Sequence, residues 1–89
     1  MFINATNDEG QEVDGFEVFI NNASESLEND NKTLKRKFFY GDDLTIKVTK
    51  VNFTDEIKNY TIQDVAENKV LFDLSILKVC AKVLAMSKQ

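Results

Sequence analysis

Two groups of acidic residues are the first candidates for chemistry in this sequence. Asp8, Glu9, Glu12 and Asp14 lie close together in one polar stretch, and several carboxylates on a flexible loop are the ligands that Ca²⁺ prefers. Their spacing does not match an EF-hand, and charged loops of this kind are usually solvated. We therefore expect no metal ion and no other cofactor.

Asp42 and Asp43 form the second group, directly after Gly41. A glycosidase needs two carboxyl groups that face each other across a cleft, whereas the side chains of adjacent residues diverge on an extended chain. Asp at such a position commonly shapes a turn, because its carboxylate accepts hydrogen bonds from nearby backbone N–H groups. We interpret the pair as corner residues rather than as an acid/base pair.

The remaining composition also argues against an enzyme. The chain has no His, which removes the commonest general base and the commonest zinc ligand. Its single Cys, Cys80, cannot form an internal disulfide or a thiolate cluster, and we expect it to pack as a small apolar residue. A chain of 89 residues, 43% of them hydrophobic, can bury one core but not a core plus a deep substrate cleft.

Charge is distributed unevenly along the chain. Residues 1–77 carry eight basic and fifteen acidic side chains, a net charge of −7, and the three remaining Lys residues follow them. An acidic body argues against nucleic-acid binding, because neutralising phosphates requires a basic surface. No stretch has the pattern of a signal peptide or the length of a transmembrane helix. We therefore expect synthesis in the cytoplasm and no membrane insertion.

Alternation of apolar and polar residues predicts the secondary structure. The clearest case is residues 44–50, where Leu44, Ile46 and Val48 share one face and Lys and Thr occupy the other. Residues 22–32 are polar and are predicted to be the longest loop. The predicted strands are 2–6, 16–21, 33–40, 44–50, 58–62 and 69–76.

Three of these segments carry further expectations. In 33–40 the inward positions include Arg36, so this side chain must snorkel to solvent or mark a local irregularity. Asn52 supplies a turn that tolerates positive φ, and Phe53 then folds back onto the core. In 69–76, alternation predicts one buried face that consists of Val70, Phe72, Leu74 and Ile76.

The number and spacing of these strands predict an all-β fold. Strands recur about every ten residues without a long amphipathic helix between them, which favours a single antiparallel sandwich over a parallel α/β sheet. We expect one β-sandwich domain over residues 1–76, of about seven strands, followed by a basic and apolar C-terminal arm over residues 77–89.

The stretches "INATNDEGQEVDGFEVFIN", "YGDDLTIKVTKVNFTDEIKNYTI" and "KVLFDLSI" resemble the carboxypeptidase regulatory-like and transthyretin-like β-sandwich superfamily, whose outline PEGA-type modules share. Gly10, Gly41, Phe53 and the alternation carry this resemblance over residues 2–76, although Asn52 stands where the family usually has Gly. No metallopeptidase motif is present, so peptidase activity is not implied. The resemblance implies an Ig-like sandwich that serves as a structural, adhesive or assembly module.

These features predict a non-enzymatic module that makes protein–protein contacts. The more specific expectation is an auxiliary decoration protein of a viral capsid, located in the virion. A domain of a surface-associated type that has no secretion signal can leave the cell as part of a virus particle. The alternative is a module of a bacterial or archaeal cell-surface adhesin that binds protein or glycan. Either way, the expected partners are other protein chains, including copies of this chain.

The C-terminal arm is the predicted contact segment. Its apolar residues exceed what a completed sandwich needs, so they either return to the core or reach a partner by strand addition or groove docking. Alternation favours an extended arm, whereas the Ala, Leu, Lys and Met content favours a short helix. The candidate contact residues are Leu77, Val79, Lys82, Val83, Leu84 and Met86.

Deletion of residues 78–89 tests this prediction. We expect the truncated chain to lose solution mass or partner affinity relative to the full chain, because the apolar contact segment has been removed. Light scattering coupled to size exclusion measures the mass, and titration against the partner measures the affinity. Unchanged mass together with unchanged affinity would rule the prediction out.

Overall fold

A computed structural model describes residues 1–76 of the chain, and this part is all-β. Within residues 1–76 the backbone forms strands, bridges and turns and no helix, which confirms the all-β part of the predicted fold class. Among these 76 residues six strands are present, instead of the predicted seven or so. They are β1 (Phe2–Thr6), β2 (Glu17–Ile20), β3 (Ala23–Ser24), β4 (Asp43–Thr49), β5 (Glu56–Thr61) and β6 (Lys69–Asp73).

Four strands form an antiparallel sheet in the order β3-β2-β4-β5. β4 is its centre, pairing Val48 with Val18 of β2 on one side and with Glu56 of β5 on the other. Leu44, Ile46 and Val48 are buried, and the residues between them are exposed or half-buried. The predicted alternation in residues 44–50 is therefore confirmed, and it aligns one apolar face across the sheet.

The other two strands pair in parallel, which corrects the expectation of an antiparallel fold throughout. β1 lies beside β6 with Phe2 opposite Lys69 and Thr6 opposite Asp73. Parallel neighbours need a long crossover between them, and here the whole four-stranded sheet lies between the two strands in sequence. Ile3 and Ala5 of β1 and Val70 and Phe72 of β6 are buried on one face of this pair.

The inner faces of both sheets contribute to one hydrophobic cluster. Its most completely buried large side chains are Phe72, Ile3, Ile20, Ile46, Leu74, Val18 and Val48. Full burial of a side chain of this size stabilises the folded state by about 1.5–3 kcal/mol. No polar or charged residue among residues 1–76 is buried, so the described core contains only apolar residues.

Side-chain hydrogen bonds contribute to the link between the sheets at the β5–β6 side. The Lys58 ammonium donates a hydrogen bond to the Leu71 carbonyl oxygen and lies 5.3 Å from the centroid of the Phe72 ring. The Tyr60 hydroxyl donates to Asn68 Oδ1 at 2.6 Å. An inward-pointing Lys on an edge strand prevents continued pairing along that edge, so these contacts limit strand addition here.

The predicted strand over residues 33–40 is wrong. Thr33 and Leu34 each form a single bridge, to Phe2 and Leu27, and residues 35–40 leave the sheet. The Arg36 position explains the error. Its charged side chain, predicted inward by parity, is exposed and stacks on Phe38 with 4.6 Å between the guanidinium carbon and the ring centroid. Arg36 therefore marks the local irregularity that was one of its two predicted outcomes.

The predicted loop over residues 22–32 contains a short hairpin instead. β3 pairs with β2, with Ile20 opposite Ala23, which leaves Asn21 and Asn22 as a two-residue connection. Both have positive φ, 51° and 70°, as a type I′ hairpin turn requires, and Asn adopts such values more readily than most residues. The polar sequence of 22–32 predicted a loop because the strand beyond the turn is only two residues long and both residues are exposed.

The predictions for the Asn52 turn and for Ile76 have different outcomes. Asn52 has φ of 73°, and Phe53 packs half-buried against the core, so the predicted turn is confirmed. Ile76 was predicted on the buried face with Leu74, but it is 50% exposed and forms only a single bridge to Phe53. β6 ends at Asp73, and Leu74 is the last residue of the predicted face that is buried. The predicted arm, residues 77–89, lies outside the described residues.

Two neighbouring residues of β6 provide a test of this register. Replacement of Phe72, fully buried, by Ala should lower the free energy of unfolding by about 3–5 kcal/mol because it leaves a cavity. Replacement of Leu71, 55% exposed on the opposite face, should lower it by less than about 1 kcal/mol. Urea denaturation measures both, and equal losses would contradict the assigned faces.

Candidate functional site

The acidic residues of the first loop do not converge as metal ligands would. The Asp14 carboxylate pairs with the Lys32 ammonium at 2.7 Å, whereas Asp8 accepts a hydrogen bond from the Ser75 hydroxyl at 3.3 Å. The hydrogen bond and charge of Lys32 lower the pKa of Asp14, and the same contact raises the pKa of Lys32. Within residues 1–76, no group of three or more His, Cys, Asp or Glu side chains is arranged to hold a metal ion.

Asp42 and Asp43 take different structural roles. The Asp42 carboxylate accepts a hydrogen bond from the Phe39 N–H at 2.9 Å, which confirms the predicted corner role for this residue. Asp43 is the first residue of β4, and its carboxylate accepts a hydrogen bond from the Thr61 hydroxyl at 2.6 Å on β5. Both carboxylates are therefore engaged in holding neighbouring segments.

Two shallow clefts open on the outer faces of the sheets. One, of about 300 Å³, lies over β4 and β5 beside Asp43, Thr45, Asn59 and Thr61, whose side chains hydrogen-bond to one another in cross-strand pairs. The other, of about 250 Å³, is lined by Phe2, Asn4, Lys69, Val70 and Leu71. In it, Asn4 Oδ1 is buried without a hydrogen-bond partner. Neither cleft brings together groups suited to acid/base or nucleophilic chemistry.

The most unusual surface of the described chain is residues 35–40, which we call the basic–aromatic loop. Phe39 is 80% exposed and Tyr40 is 75% exposed, whereas large aromatic side chains are usually largely buried. Lys35, Arg36 and Lys37 precede them and are also exposed. Adjacent exposed aromatic side chains next to a basic run form a surface suited to binding rather than to folding.

The tip of this loop is held by a closed set of hydrogen bonds. Asp42 N–H donates to the Phe39 carbonyl at 3.0 Å, closing a β-turn in which Gly41 has φ of 91°. A type II turn requires such a positive φ at its third residue, which is why Gly is suited to the position. Gly41 N–H then donates to Ile62 at 3.0 Å, and Ile62 N–H donates to Asp42 at 2.9 Å. The turn is therefore fastened to the end of β5.

The base of the loop is also anchored. Lys35 N–H donates to the Ser26 carbonyl at 3.0 Å. Arg36 forms an ion pair with Glu25 at 2.9 Å while its guanidinium stacks on Phe38. Among residues 1–76, neither Lys35 nor Lys37 has an ion-pair partner. The loop thus presents two unpaired ammonium groups and two aromatic side chains from a defined backbone.

Sequence reasoning missed this surface. The six predicted contact residues of the arm lie outside the described residues, so they stay predictions. The signal for the loop was the run "KRKFFY", a basic and aromatic sequence in an acidic chain. Alternation of Leu34, Arg36 and Phe38 led us to interpret the run as a strand, and the charge on the middle residue was the indication that it was not one.

The sequence matches no protein-family model and none of the curated proteins with which it was compared. Residues 1–76 contain no helix of the length and apolar character that crossing a membrane requires. The geometry of the loop and of the two sheets is therefore the basis for a functional proposal.

Replacement of Asp42 by Ala tests whether the tip of the loop is held as described. Removing the carboxylate should speed hydrogen exchange of the Phe39 amide by about tenfold or more, because a hydrogen bond to a charged acceptor contributes about 1.5–3 kcal/mol. Replacement of Asp43 by Ala is the matched control, since its carboxylate bonds Thr61 and not the loop. Equal Phe39 exchange rates in Asp42→Ala and the unaltered chain, measured by NMR, would show that the contact does not order the turn.

Proposed function

We propose that the protein is a non-enzymatic assembly module that makes protein–protein contacts, with the basic–aromatic loop as its principal contact surface. The observation that carries the proposal is the exposure of Phe39 and Tyr40 side by side, at 80% and 75%, on a turn fixed by hydrogen bonds. The proposed scaffold is an Ig-like or transthyretin-like sandwich. The contribution of both sheets to one core cluster supports it.

The physical properties of the loop suit a protein contact. Each aromatic side chain can bury about 150–250 Å² against a partner, and Tyr and Arg are enriched among the residues that dominate binding energy. A turn that is already ordered loses less conformational entropy on binding than a mobile one. Lys35 and Lys37, at the side of the aromatic pair, favour a partner surface with acidic groups.

The most specific form of this proposal is an auxiliary decoration protein of a virion. The support is a small apolar core that bears a rigid contact loop, with the candidate carboxylates Asp14, Asp42 and Asp43 engaged in structural contacts. Catalysis and nucleic-acid binding are not proposed. Other protein chains are the proposed partners, and the virion is the proposed location.

A cell-surface adhesin module is the second candidate, and the cleft over β4 and β5 favours it. Asp43, Thr45, Asn59 and Thr61 present hydroxyl, amide and carboxylate groups along one face, which are groups that hydrogen-bond to sugar hydroxyls. The pairing of these side chains with one another reduces the donors and acceptors left for a ligand. The exposed aromatic pair therefore makes a protein contact the preferred proposal.

Site-specific photo-crosslinking tests the proposed function. A benzophenone amino acid replaces Phe39 in the full chain, which is then expressed and irradiated in the cells that naturally produce it. The expected result is a discrete covalent adduct with one protein, whose crosslinked peptide mass spectrometry identifies. The matched control carries the same group at Ile57, which is 60% exposed on the outer face of β5.

The pattern of adducts decides the result. A defined adduct at position 39 that is missing at position 57 supports the proposal. Adducts of the same diffuse composition at both positions would overturn it, because the loop would then contact other proteins no more specifically than any exposed surface.

A further inference from the structure

The two ends of the described molecule differ in chemistry. β1 begins at the end that carries the basic–aromatic loop, where Leu34 N–H donates to the Met1 carbonyl at 2.9 Å. β1 finishes at the opposite end, where Thr6 bridges Glu12 and its hydroxyl donates to Asp73 at 3.0 Å. We call these the loop end and the acidic end. A five-residue strand separates them by about 13 Å along its axis.

Acidic side chains concentrate at the acidic end. Asp8 is joined to Ser75 by a hydrogen bond, and Thr54 N–H donates to the Ser75 carbonyl at 2.8 Å, which brings Asp55 to the same place. The strand register adds Glu17, opposite Thr49, and Glu56, opposite Val48. Glu9, Glu12 and Asp73 add to them, because Glu12 bridges Thr6, Asp73 lies opposite Thr6, and Glu9 lies in the turn between Thr6 and Glu12.

The acidic end also has exposed apolar side chains. Val51 is 82% exposed in the turn after β4, and Ile76 is 50% exposed beside Phe53. Lys50, which precedes Val51 and approaches Gly15, is also at this end, but carboxylates outnumber it. Exposed aliphatic side chains in such an acidic region are the chemical complement of an exposed aromatic pair beside ammonium groups. The basic–aromatic loop therefore has a matching surface on the opposite end of its own chain.

The loop end carries both acidic and basic side chains, but the basic side chains lie together. Lys35, Arg36 and Lys37 are consecutive, and the nearby Asp42 carboxylate already accepts the Phe39 N–H. Asp64 and Glu67 are exposed in the turn between β5 and β6 and lie outside the loop itself. The aromatic tip and the two unpaired Lys residues thus form a local basic surface on an acidic body.

We infer that the basic–aromatic loop of one molecule docks on the acidic end of a second copy of this chain. This inference rests on the proposed assembly function and names its partner. The contact is intermolecular because hydrogen bonds hold the loop tip at the far end of the sheet from its own acidic end. Head-to-tail contacts of this kind use two different surfaces, so they continue into open chains or close into rings.

Charge-swapped variants of the full chain test this inference. Sedimentation velocity should show association of the wild-type chain that rises with concentration. The dissociation constant should rise at least about tenfold between about 20 mM and about 500 mM NaCl, because screening shortens the range of charge attraction from about 20 Å to about 4 Å. K35E/K37E alone and D8K/E9K/D55K alone should both be monomeric, since the first has lost the positive charge of its loop and the second has lost most of the net negative charge of its acidic end.

An equimolar mixture of the two variants provides the decisive measurement. It should associate again, because the basic loop of the second variant meets the unaltered acidic end of the first. F39A/Y40A, which leaves every charge in place, should weaken wild-type association about tenfold or more through loss of aromatic contact. Circular dichroism confirms that each variant retains its strands.

K78E/K88E is the matched control, because it changes the net charge by the same amount as K35E/K37E and leaves the predicted contact residue Lys82 unaltered. It should leave association unchanged. If it abolishes association while K35E/K37E does not, the segment 77–89 is the occupant of the acidic end and the inference is wrong. A wild-type chain that stays monomeric at millimolar concentration and low salt would also overturn it, whereas a position-39 adduct with a different protein would still support the proposed function.

Discussion

The parallel pairing of β1 with β6 is the constraint on which the rest of the structure depends. It joins residues 2–6 to residues 69–73, and this closure brings Ile3 and Phe72 over the inner face of β4. Because the described core contains only apolar side chains, its stability comes from this burial, which requires both sheets at once. The same closure determines which end of each strand carries the loops.

The candidate contact surface consists of residues that the hydrophobic core does not bury. Leu34 is the last buried residue of its segment, and Arg36 cannot enter the core because burying an unpaired charge is strongly unfavourable. The chain therefore leaves the sheet and returns at Gly41 and Asp42, whose hydrogen bonds with Ile62 immediately precede β4. Between these two points only Phe38 packs against the core, half-buried, and Phe39 and Tyr40 face solvent.

Sequence reasoning succeeded where one local rule determined the outcome. Leu44, Ile46 and Val48 alternate, and β4 follows them. Asn52 adopts positive φ, and Phe53 returns to the core. It failed where two rules competed: in 33–40 the alternation opposed the charge of Arg36, and at Asn21-Asn22 the polarity of a loop concealed a type I′ hairpin. The basic–aromatic loop was missed for the first of these reasons.

The sequence by itself determined the all-β class, the central strand and the turn-forming residues, because side-chain period and backbone preference act over a few neighbouring residues. Only the tertiary structure decided that β1 and β6 run parallel and that Asp14 pairs with Lys32. It alone placed Phe39 and Tyr40 at one end of the molecule and Asp8 and Asp73 at the other. These relations join residues far apart in the chain, and no local pattern encodes which distant segments bury each other's apolar faces.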